Sequence, residues 1–384
     1  MTARYDVVVV GARVAGAATA LQLARRGARV LVLDRGRYGS DTVSTHALMR
    51  TGVVQLSRWG LLDRLVAAGV PPVRSTVFHH ASGDSRISLR PAAGVDALYA
   101  PRRTTLDALL VDAAAEAGAE VRHGLRATGL LRDRSGRVAG VVAEGPHGRP
   151  VEVAAAVTVG ADGVRSDVAR WVGAPVERTA RAASGVLYGY RADLPTDGYE
   201  WAYGGLASAG LIPTQDGLTC VFTGTSDARF RALPGGAADR FAELLAEASP
   251  DVAARVAGAA PVGRLHGFAG QPGFLRRAGG PGWALVGDAG YFKDPLSTHG
   301  MSDALRDAEL LARALTAPGP EAAALAGYQR ERDRLSVALF DVTERVAAHD
   351  WTEEELRRLL RELAAAMSDE IEVLLGLDDA RPAA

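Results

Sequence analysis

The sequence predicts an α/β fold: a parallel sheet with a β-meander, interleaved with an antiparallel-sheet domain and followed by C-terminal helices. The first sign is the order strand, tight turn, helix, strand over residues 6–34, which is typical of a βαβ unit. The second is a set of three strand-like runs that ends at Asp162 and predicts a meander. The third is the stretch 184–225, whose short runs rich in Tyr, Trp, Val and Gly favour antiparallel strands.

The composition is that of a globular protein with a large core. Of the 384 residues, 48% are hydrophobic, and 44 Lys and Arg residues balance 45 Asp and Glu residues. A net charge near zero gives no general attraction to phosphate backbones, so we expect no nucleic-acid partner. No apolar run approaches the roughly 18 residues that span a membrane. Cys220 is the only cysteine, which excludes an internal disulfide and predicts a cytoplasmic protein.

A glycine-rich turn joins the first strand to the first helix. An apolar run covers residues 6–10, the turn covers residues 11–16, and an Ala- and Leu-rich helix continues to Arg26. Gly27 is suited to end that helix, because glycine adopts the left-handed backbone of a helix C-terminus. Residues 29–33 are the second strand, and a right-handed crossover makes the two strands parallel.

The same order of elements returns further along the chain. We expect a helix from Thr104 or Thr105 to Gly118, which feeds a further parallel strand at residues 119–122. Turns at residues 132–136 and 145–148 separate the strands of the meander.

The second sheet and the helices interrupt this order, so the domains are predicted to be discontinuous. Residues 73–90 alternate around Ser82–Asp84 as a hairpin does. Helical patterns cover residues 237–248, 303–315 and 328–377. The predicted divisions are a parallel-sheet domain (1–72, 101–175 and 275–320), an antiparallel-sheet domain (73–100 and 176–274) and a C-terminal helical segment (321–384).

The glycine-rich turn is the first candidate binding site. A dinucleotide site needs glycine at the sharp turn, where the backbone approaches a pyrophosphate, and where the helix packs on the strand. Gly11 and Gly16 occupy the first and third positions, whereas Arg13 occupies the second. Asp34 ends the second strand, where a carboxylate accepts hydrogen bonds from ribose hydroxyls. An ordinary βα turn with a capping Asp is the alternative.

A second candidate is Asp162, which lies between glycines ahead of a short helix that we expect between Ser166 and Gly173. Phosphate would repel its carboxylate, so we expect it to accept hydrogen bonds from a nearby Arg, an amide or a sugar hydroxyl. The alternative is a turn Asp that satisfies its own backbone.

The third candidate lies at the end of a buried strand, which we expect to end at Gly287. Gly287 permits a close backbone approach, and Asp288 can accept hydrogen bonds from a polyol. The loop that contains Pro295 leads to a helix near Gly300, whose N-terminus is suited to stabilise negative charge.

In this order and spacing, the three motifs resemble the FAD-dependent family of para-hydroxybenzoate hydroxylase and geranylgeranyl reductase, which has a glutathione-reductase-like FAD-binding fold. The resemblance implies that FAD lies across the parallel-sheet domain. The cofactor-binding residues that it implies are Gly11, Arg13, Val14, Ala15, Gly16, Asp34, Arg35, His46, Arg103, Ala127, Asp162, Gly287, Asp288, Pro295, Gly300 and Met301.

The resemblance also assigns roles along the cofactor. Residues 11–16 would take the pyrophosphate, Asp34 the adenosine ribose, and Gly287 and Asp288 the ribityl region, while Gly300 and Met301 would meet the pyrimidine end of the ring. Arg103 matches an Arg that contacts the flavin, and Ala127 lies where relatives contact the adenine. His46 stands near a position where aromatic hydroxylases carry an Arg, and is either a ligand or a buried structural histidine.

Two further sets of residues are candidates for chemistry. Lys293 is the only lysine, and it lies in the loop expected beside the flavin ring. It is either a catalytic cation there or a solvated loop residue. Tyr188, Trp201 and Tyr203 lie on strand-like runs and are predicted either to bind an aromatic substrate or to pack the sheet. The histidines lack metal-ligand spacing, so no metal site is predicted.

The function that the resemblance implies is that of a flavoprotein monooxygenase, and the composition, with 43 Arg and one Lys, favours a bacterial tailoring or degradation enzyme. NADPH or NADH would bind transiently and reduce FAD, and O₂ would react to a C4a-hydroperoxide that hydroxylates an aromatic or polyketide-like small molecule. The alternatives are a flavin reductase that acts on a carbon–carbon bond, a flavin-dependent halogenase, and an FAD-binding protein without activity. Both a monomer and a homodimer fit the sequence.

Overall fold

The computed structural model describes residues 5–145 and 148–379, and strands alternate with helices over its first part. The predicted turn at Pro146 and His147 and the chain ends, 1–4 and 380–384, lie outside the described residues. The first elements are β1 (Tyr5–Val10), α1 (Val14–Ala24), β2 (Val30–Asp34), α2 (Arg50–Arg58), α3 (Leu62–Ala67), β3 (Pro72–Val73), β4 (Ser75–His79), β5 (Ser85–Ser88), β6 (Leu98–Tyr99), α4 (Arg103–Glu116), β7 (Glu120–His123), β8 (Arg126–Arg132), β9 (Val138–Glu144) and β10 (Pro150–Gly160).

The remaining elements are richer in helix towards the end of the chain. They are α5 (Asp167–Trp171), β11 (Val176–Thr179), β12 (Ser184–Ala192), β13 (Tyr199–Gly204), β14 (Ala207–Pro213), β15 (Leu218–Ser226), α6 (Asp227–Ala232), α7 (Ala237–Ala248), α8 (Pro250–Ala257), β16 (Ala260–Phe268), β17 (Phe274–Arg276), β18 (Gly279–Gly280), β19 (Trp283–Leu285), β20 (Tyr291–Phe292), α9 (Gly300–Thr316), α10 (Glu321–Ala347) and α11 (Glu353–Asp379).

The larger sheet has the order β18-β19-β10-β1-β2-β7, and β8 and β9 continue from β10 as an antiparallel meander. Strand β1 pairs in parallel with β2 and β10, and β2 pairs in parallel with β7. Helices α1, α4 and α9 cover one face, while the meander and α5 cover the other. Burial on both faces explains why the central strands are continuous runs of Val and Leu. The predicted parallel sheet and meander are confirmed.

The second sheet has the order β16-β12-β15-β14-β13-β4-β5. Its neighbours are antiparallel except for β13 and β4, which run parallel. Helices α7 and α8 pack on one face, and an aromatic cluster lies on the other. The predicted hairpin is the pair β4 and β5, in which Thr76 lies opposite Ile87.

The predicted C-terminal helices are confirmed. The helical pattern over residues 328–377 forms α10 and α11, which are separated at residues 348–352. His349 interrupts the helix because its backbone is left-handed, with φ of 53°. Across the described residues, no helix has the length and apolar character that a membrane span requires.

Candidate functional site

A cavity of about 830 Å³ lies where the two sheets meet. It opens at the carboxyl ends of β1, β2, β10 and β19, which all lie at one edge of the larger sheet. Ligands of open parallel sheets bind at this edge. Its size is within the range of roughly 300–1,000 Å³ that is typical of small-molecule sites.

Most of the predicted cofactor-binding residues contribute to the wall of this cavity. They are Gly11, Arg13, Val14, Ala15, Asp34, Arg35, His46, Arg103, Ala127, Asp162, Asp288, Pro295, Gly300 and Met301. Gly16 and Gly287 are not part of the wall, but each packs against wall residues, Gly16 against Gly11 and Gly287 against Ala15.

The glycine-rich turn has the tight geometry that the sequence predicts. Gly11 has φ of 106°, and a Cβ on it would lie 2.4 Å from the carbonyl oxygen of Ala161. A Cβ on Gly16 would lie 1.8 Å from the carbonyl oxygen of Gly11. Side chains larger than hydrogen are therefore excluded at both positions. The first turn of α1 holds no acidic residue, so its free N–H groups present positive potential to the cavity.

Arg13 points away from this turn. Its guanidinium contacts the Asp107 carboxylate at 3.3 Å and donates to the carbonyl oxygen of Asp41 at 3.1 Å. Asp107 also accepts two hydrogen bonds of 3.0 Å from Arg103. The Asp107 carboxylate on α4 thus holds both Arg13 and Arg103. The Arg13 side chain is drawn away from the turn, so only its backbone atoms remain there.

Asp34 marks one end of the cavity. Its carboxylate accepts hydrogen bonds from the backbone N–H of Ala12 at 2.7 Å and of Gly36 at 2.6 Å. These bonds fix the carboxylate beside Arg35 and Ala127, which line the same end.

Asp162 holds the local backbone. Its carboxylate accepts hydrogen bonds from the hydroxyl of Ser166 at 2.5 Å and from the N–H groups of Asp167 and Val168 at 2.7 and 3.1 Å. Ser166 caps α5, as predicted. The carboxylate is therefore occupied by its own chain, although Asp162 lies in the cavity wall.

The turn after β19 approaches the start of α1. Gly287 has φ of 57°, and Asp288, the next residue, lies in the cavity wall. No group of the described residues donates a hydrogen bond to the Asp288 carboxylate. Burial raises the pKa of Asp288 to about 6, against the lowering effect of the Lys293 and Arg103 cations. An acceptor without a partner thus faces the cavity.

The loop before α9 closes the other end. Asp294 accepts hydrogen bonds from the N–H of Leu296 at 3.0 Å and of Ser184 at 2.6 Å, so it ties this loop to β12 of the second sheet. Pro295 and the first residues of α9, Gly300 and Met301, line the cavity here.

His46 is buried at the junction of the sheets, with a left-handed backbone (φ 69°). Its Nε2 forms a short hydrogen bond with the hydroxyl of Tyr190, and its Nδ1 has no partner among the described residues. Burial and the Arg102 cation lower the pKa of His46 to about 3, so the ring is neutral at physiological pH. Arg102 lies over the Tyr190 ring, 4.4 Å from its centre.

Aromatic residues form the wall of the cavity on the side of the second sheet. Tyr188 lines the cavity, stacks on His266 with ring centres 5.0 Å apart, and accepts a hydrogen bond from the N–H of Ser44 at 3.2 Å. Phe268 and Phe292 line the same region, with ring centres 6.3 Å apart.

Trp201 and Tyr203 do not line the cavity. Strand β13, which carries them, is separated from β12 by β15 and β14. Three strand spacings amount to about 14 Å between the backbones of β12 and β13. Trp201 packs in the aromatic core between Tyr199 and Phe222. Tyr203 packs edge-on against Trp351, with ring centres 5.9 Å apart, and the role of both residues in substrate binding stays a prediction.

Lys293 is a buried residue of the cavity wall, not a solvated loop residue. Its ammonium forms an ion pair with Asp303 and lies 4.8 Å above the centre of the Tyr291 ring. Burial and the Arg306 cation lower the pKa of Lys293 to about 7, although the carboxylates of Glu370 and Asp288 raise it.

Comparison with known proteins identifies the family. The profile of the FAD-binding domain family matches residues 4–225, which is more than half of the chain. The chain belongs to this family. The predicted resemblance is confirmed, and the protein is a flavin-dependent oxidoreductase.

Relatives of this FAD-binding protein include both monooxygenases and reductases. Kynurenine 3-monooxygenase of Salinispora arenicola is 31% identical over 88% of this chain and 79% of the relative. Digeranylgeranylglycerophospholipid reductase of Methanocella arvoryzae is 26% identical over 98% of this chain and 100% of the relative. The structure of the flavin-dependent brominase Bmp2 superposes with a TM-score of 0.80 at 18% identity and covers 99% of this chain and 100% of that one, which shows the shared fold.

The cavity of this FAD-binding protein fits the cofactor on three observations. A Cβ on Gly11 would meet the carbonyl oxygen of Ala161, so only glycine permits the tight turn that presents the start of α1 to the cavity. The N-terminus of α1 offers N–H groups to a pyrophosphate without an opposing carboxylate in its first turn. Asp288 offers an unpartnered acceptor where a polyol chain would pass.

Sequence reasoning missed the ionisable residues behind Lys293. Asp303 and Arg306 lie on α9 within a pattern that is dominated by Ala and Leu, and Glu370 lies on α11. A charged residue every three or four positions on the buried side of α9 was the available signal. Nothing in the sequence indicates that Glu370 meets them. His299, Asp303 and Glu370 bring three ligand atoms within 4.8 Å, but Arg306 and Lys293 already pair with the two carboxylates.

Proposed function

We propose that this protein is a monooxygenase that uses FAD, NADPH or NADH, and O₂ to hydroxylate an aromatic or polyketide-like small molecule. The observation that carries the proposal is the continuity of the cavity. One end has the glycine turn and Asp34, and the other end has an aromatic wall of Tyr188, Phe268 and Phe292. The similarity to kynurenine 3-monooxygenase over most of the chain supports the same reading.

Different parts of the chain would bind different parts of the cofactor. Backbone N–H groups at the start of α1, in residues 13–15, would hold the pyrophosphate, and Asp34 and Asp288 would accept hydrogen bonds from hydroxyl groups of the cofactor. The N-terminus of α9 at Gly300 would stabilise negative charge at the far end. The chemistry that bound FAD supplies is two-electron transfer from a nicotinamide to oxygen.

The substrate would lie against the aromatic wall. Planar rings stack on Tyr188 and Phe268, and burial of both faces keeps water from the reacting atoms. His46 is neutral and would meet substrate or flavin as a hydrogen-bonding group without charge. Tyr188 is the one predicted substrate-binding residue that keeps this role in the proposal.

Lys293 is proposed as the catalytic cation. It would stabilise negative charge on the reduced cofactor or attract an acidic group of the substrate. Lys293→Arg keeps the charge and Lys293→Met removes it, and the two variants are compared by the rate of flavin reduction and by the reduction potential of bound FAD. We expect a lower potential in the Met variant and a smaller change in the Arg variant. If both variants reduced flavin at the wild-type rate and had the wild-type reduction potential, Lys293 would not be the catalytic cation.

The experiment that tests the function is a substrate screen with the FAD-loaded protein. Consumption of NADPH and NADH is followed with single- and fused-ring aromatic compounds, including kynurenine, and the products are analysed after turnover under ¹⁸O₂. We expect stimulated oxidation and one labelled oxygen atom in the product. The absence of both with every compound would contradict the monooxygenase proposal.

The alternative is a flavin reductase that acts on a carbon–carbon double bond. The observation that favours it is the match to the Methanocella reductase along essentially the full length of both chains. Turnover of an isoprenoid substrate without oxygen would identify this activity, because hydroxylation stops under anaerobic conditions.

Three further predictions belong to the proposal. The cytoplasmic location is inferred from the single, buried cysteine. The domain divisions 1–72, 101–175 and 275–320, then 73–100 and 176–274, and finally 321–384 remain predictions. Size measurements in solution decide between monomer and homodimer.

A further inference from the structure

A buried ion cluster lies directly behind the cavity wall. It consists of Lys293, His299, Asp303, Arg306, Asp307 and Glu370, and all six side chains are shielded from solvent. Five of them come from the loop before α9 and from α9 itself, and Glu370 comes from α11 of the C-terminal segment. Ionisable groups are rarely buried together without a role or a complete set of partners.

Arg306 is the centre of this cluster. Its guanidinium lies 2.8 Å from Glu370, 2.7 Å from Asp307 and 3.2 Å from Asp303. It also donates to the hydroxyl of Ser336 on α10 at 2.9 Å. With these contacts the guanidinium is fixed from three helices, and it holds one oxygen of Asp303 while the other oxygen contacts Lys293.

Glu370 joins the two halves of the cluster. One carboxylate oxygen contacts Arg306, and the other accepts a hydrogen bond from Nε2 of His299 at 2.5 Å. The Nε2 atom of His299 also lies 4.0 Å from Asp303. Glu370 therefore holds both groups that flank Asp303, although it does not contact Lys293.

The charges that act on Lys293 come from every element packed around it. The side chains that face it from the packed elements are Asp288 after β19, Tyr291 of β20, His299 of the loop, Asp303, Arg306 and Asp307 of α9, and Glu370 of α11. Arg306 disfavours the charged form of Lys293, and the carboxylates favour it. Removal of the Glu370 charge strengthens the effect of Arg306.

We propose that Glu370 of the C-terminal helix is a positioning residue of the cavity, which acts through Arg306 and His299 on Asp303 and so keeps Lys293 charged at the cavity wall. The proposal rests on the proposed function only for the statement that flavin occupies the cavity. It makes α11 part of the site, and it gives this helix a function besides packing.

The single lysine of the chain permits a direct test. Protein labelled with [¹³Cε]lysine gives one lysine side-chain signal, whose chemical shift against pH reports the charge of Lys293 without turnover. In Glu370→Gln we expect the titration midpoint to fall by about half a pH unit or more, because an attractive charge is lost. Glu372→Gln, an exposed neighbour on the same helix, is the matched control and should titrate as the wild type does.

A second variant guards against a folding failure. Glu370→Asp keeps the charge that buried Arg306 needs and draws the carboxylate back by one methylene group, so we expect a smaller shift in the same direction. A wild-type midpoint in the Glu370 variants that fold would overturn the proposal. Equal shifts in Glu370→Gln and Glu372→Gln would also overturn it, because the effect would then be one of overall charge.

The position of Lys293 at the occupied cavity is tested on the same signal. Addition of FAD to the labelled wild-type protein should change the chemical shift of Lys293 or its midpoint. FAD that binds, as judged by its visible spectrum, without any change in this signal would separate Lys293 from the cofactor and contradict the proposal. A protein that lacks oxygenase activity but shows both effects would instead contradict only the proposed function.

Discussion

Gly287 and Ala15 meet at the edge of the larger sheet, so closely that a Cβ on Gly287 would lie 2.8 Å from the Cβ of Ala15. Two chain turns far apart in sequence, one before α1 and one after β19, are thereby brought to one place. The close approach aligns the N–H groups of α1 with Asp288 along a single cavity. An extended cofactor needs both turns, so this contact should control its binding.

Substitution of Gly287 by Ala should therefore weaken both fold and binding. The left-handed backbone and the contact with Ala15 together should cost about 1–3 kcal/mol of unfolding free energy. Ala15→Gly in the same chain should restore part of the loss. Urea denaturation and fluorescence titration with FAD measure the two effects. Gly60→Ala is the control, since Gly60 is also left-handed (φ 70°) but has no neighbour within 4 Å. If Gly287→Ala and Gly60→Ala lowered stability and FAD binding equally, the contact between Gly287 and Ala15 would have no special role.

The unusual Arg13 should be nearly neutral for FAD binding. Its guanidinium is held by Asp107 and by the carbonyl oxygen of Asp41, away from the glycine turn. Arg13→Gly should thus change the Kd of FAD by less than about threefold, which corresponds to roughly 0.6 kcal/mol. Gly11→Ala should weaken binding about tenfold or more, because the added Cβ meets the carbonyl oxygen of Ala161. A large loss in Arg13→Gly would place this guanidinium on the phosphates instead.

Much of the parallel-sheet region could be predicted because its signals are local. Glycines at fixed positions in Gly11–Gly16, and an Asp at the end of β2, specify a turn whose geometry hardly depends on the rest of the chain. The aromatic residues of the second sheet could not be placed in the same way. Alternation shows that Tyr188 and Trp201 each lie on one face of a strand, but strand order decides which of them meets the cavity, and strand order is set by long-range pairing.

The ion cluster shows the same limit. Asp303 and Arg306 have a spacing that places them near each other on α9, but their partner Glu370 lies on a different helix. Only the packing of α11 against the loop before α9 brings these groups together. Lys293 is a candidate from the sequence only because it is the single lysine, which is a signal of composition and not of structure.

The charged Asp288 carboxylate should lower the stability of the FAD-free protein and strengthen FAD binding. Its pKa is raised to about 6 by burial, so its charged form destabilises the FAD-free fold above that pH. Asp288→Asn should stabilise the FAD-free protein by up to about 2–3 kcal/mol at pH 8, and the gain should shrink as the pH falls through 6, where the native wild-type carboxylate takes up a proton. Thermal denaturation from pH 5 to pH 8 measures the gain.

The same variant should bind FAD more weakly at pH 8, since an amide oxygen is a poorer acceptor than a carboxylate. The exposed Asp369 on α11 provides the control, and Asp369→Asn should alter neither property. An Asp288→Asn protein that is no more stable at pH 8 than at pH 5, relative to the wild type, would show that the carboxylate is already well solvated.

Substitutions of His46 and Tyr190 should affect stability in two different ways, one that depends on pH and one that does not. The native pKa of His46 is about 3, well below the unfolded value of 6.5, so the unfolded chain takes up a proton first as the pH falls and stability is lost below pH 6.5. Between pH 7 and pH 5 this linkage amounts to about 2 kcal/mol. His46→Asn, which tolerates the left-handed backbone, should remove that portion of the acid sensitivity.

Tyr190→Phe should have the opposite signature. It removes the hydroxyl that bonds to Nε2 and leaves a buried nitrogen without a partner, which should cost about 1–3 kcal/mol at every pH. The acid sensitivity should persist, because the neutral histidine stays buried. Urea denaturation of both variants at pH 7 and pH 5 tests the pair. If Tyr190→Phe flattened the pH dependence as His46→Asn does, water would have reached the ring, and the hydroxyl would be the group that keeps His46 dry and uncharged beside the cavity.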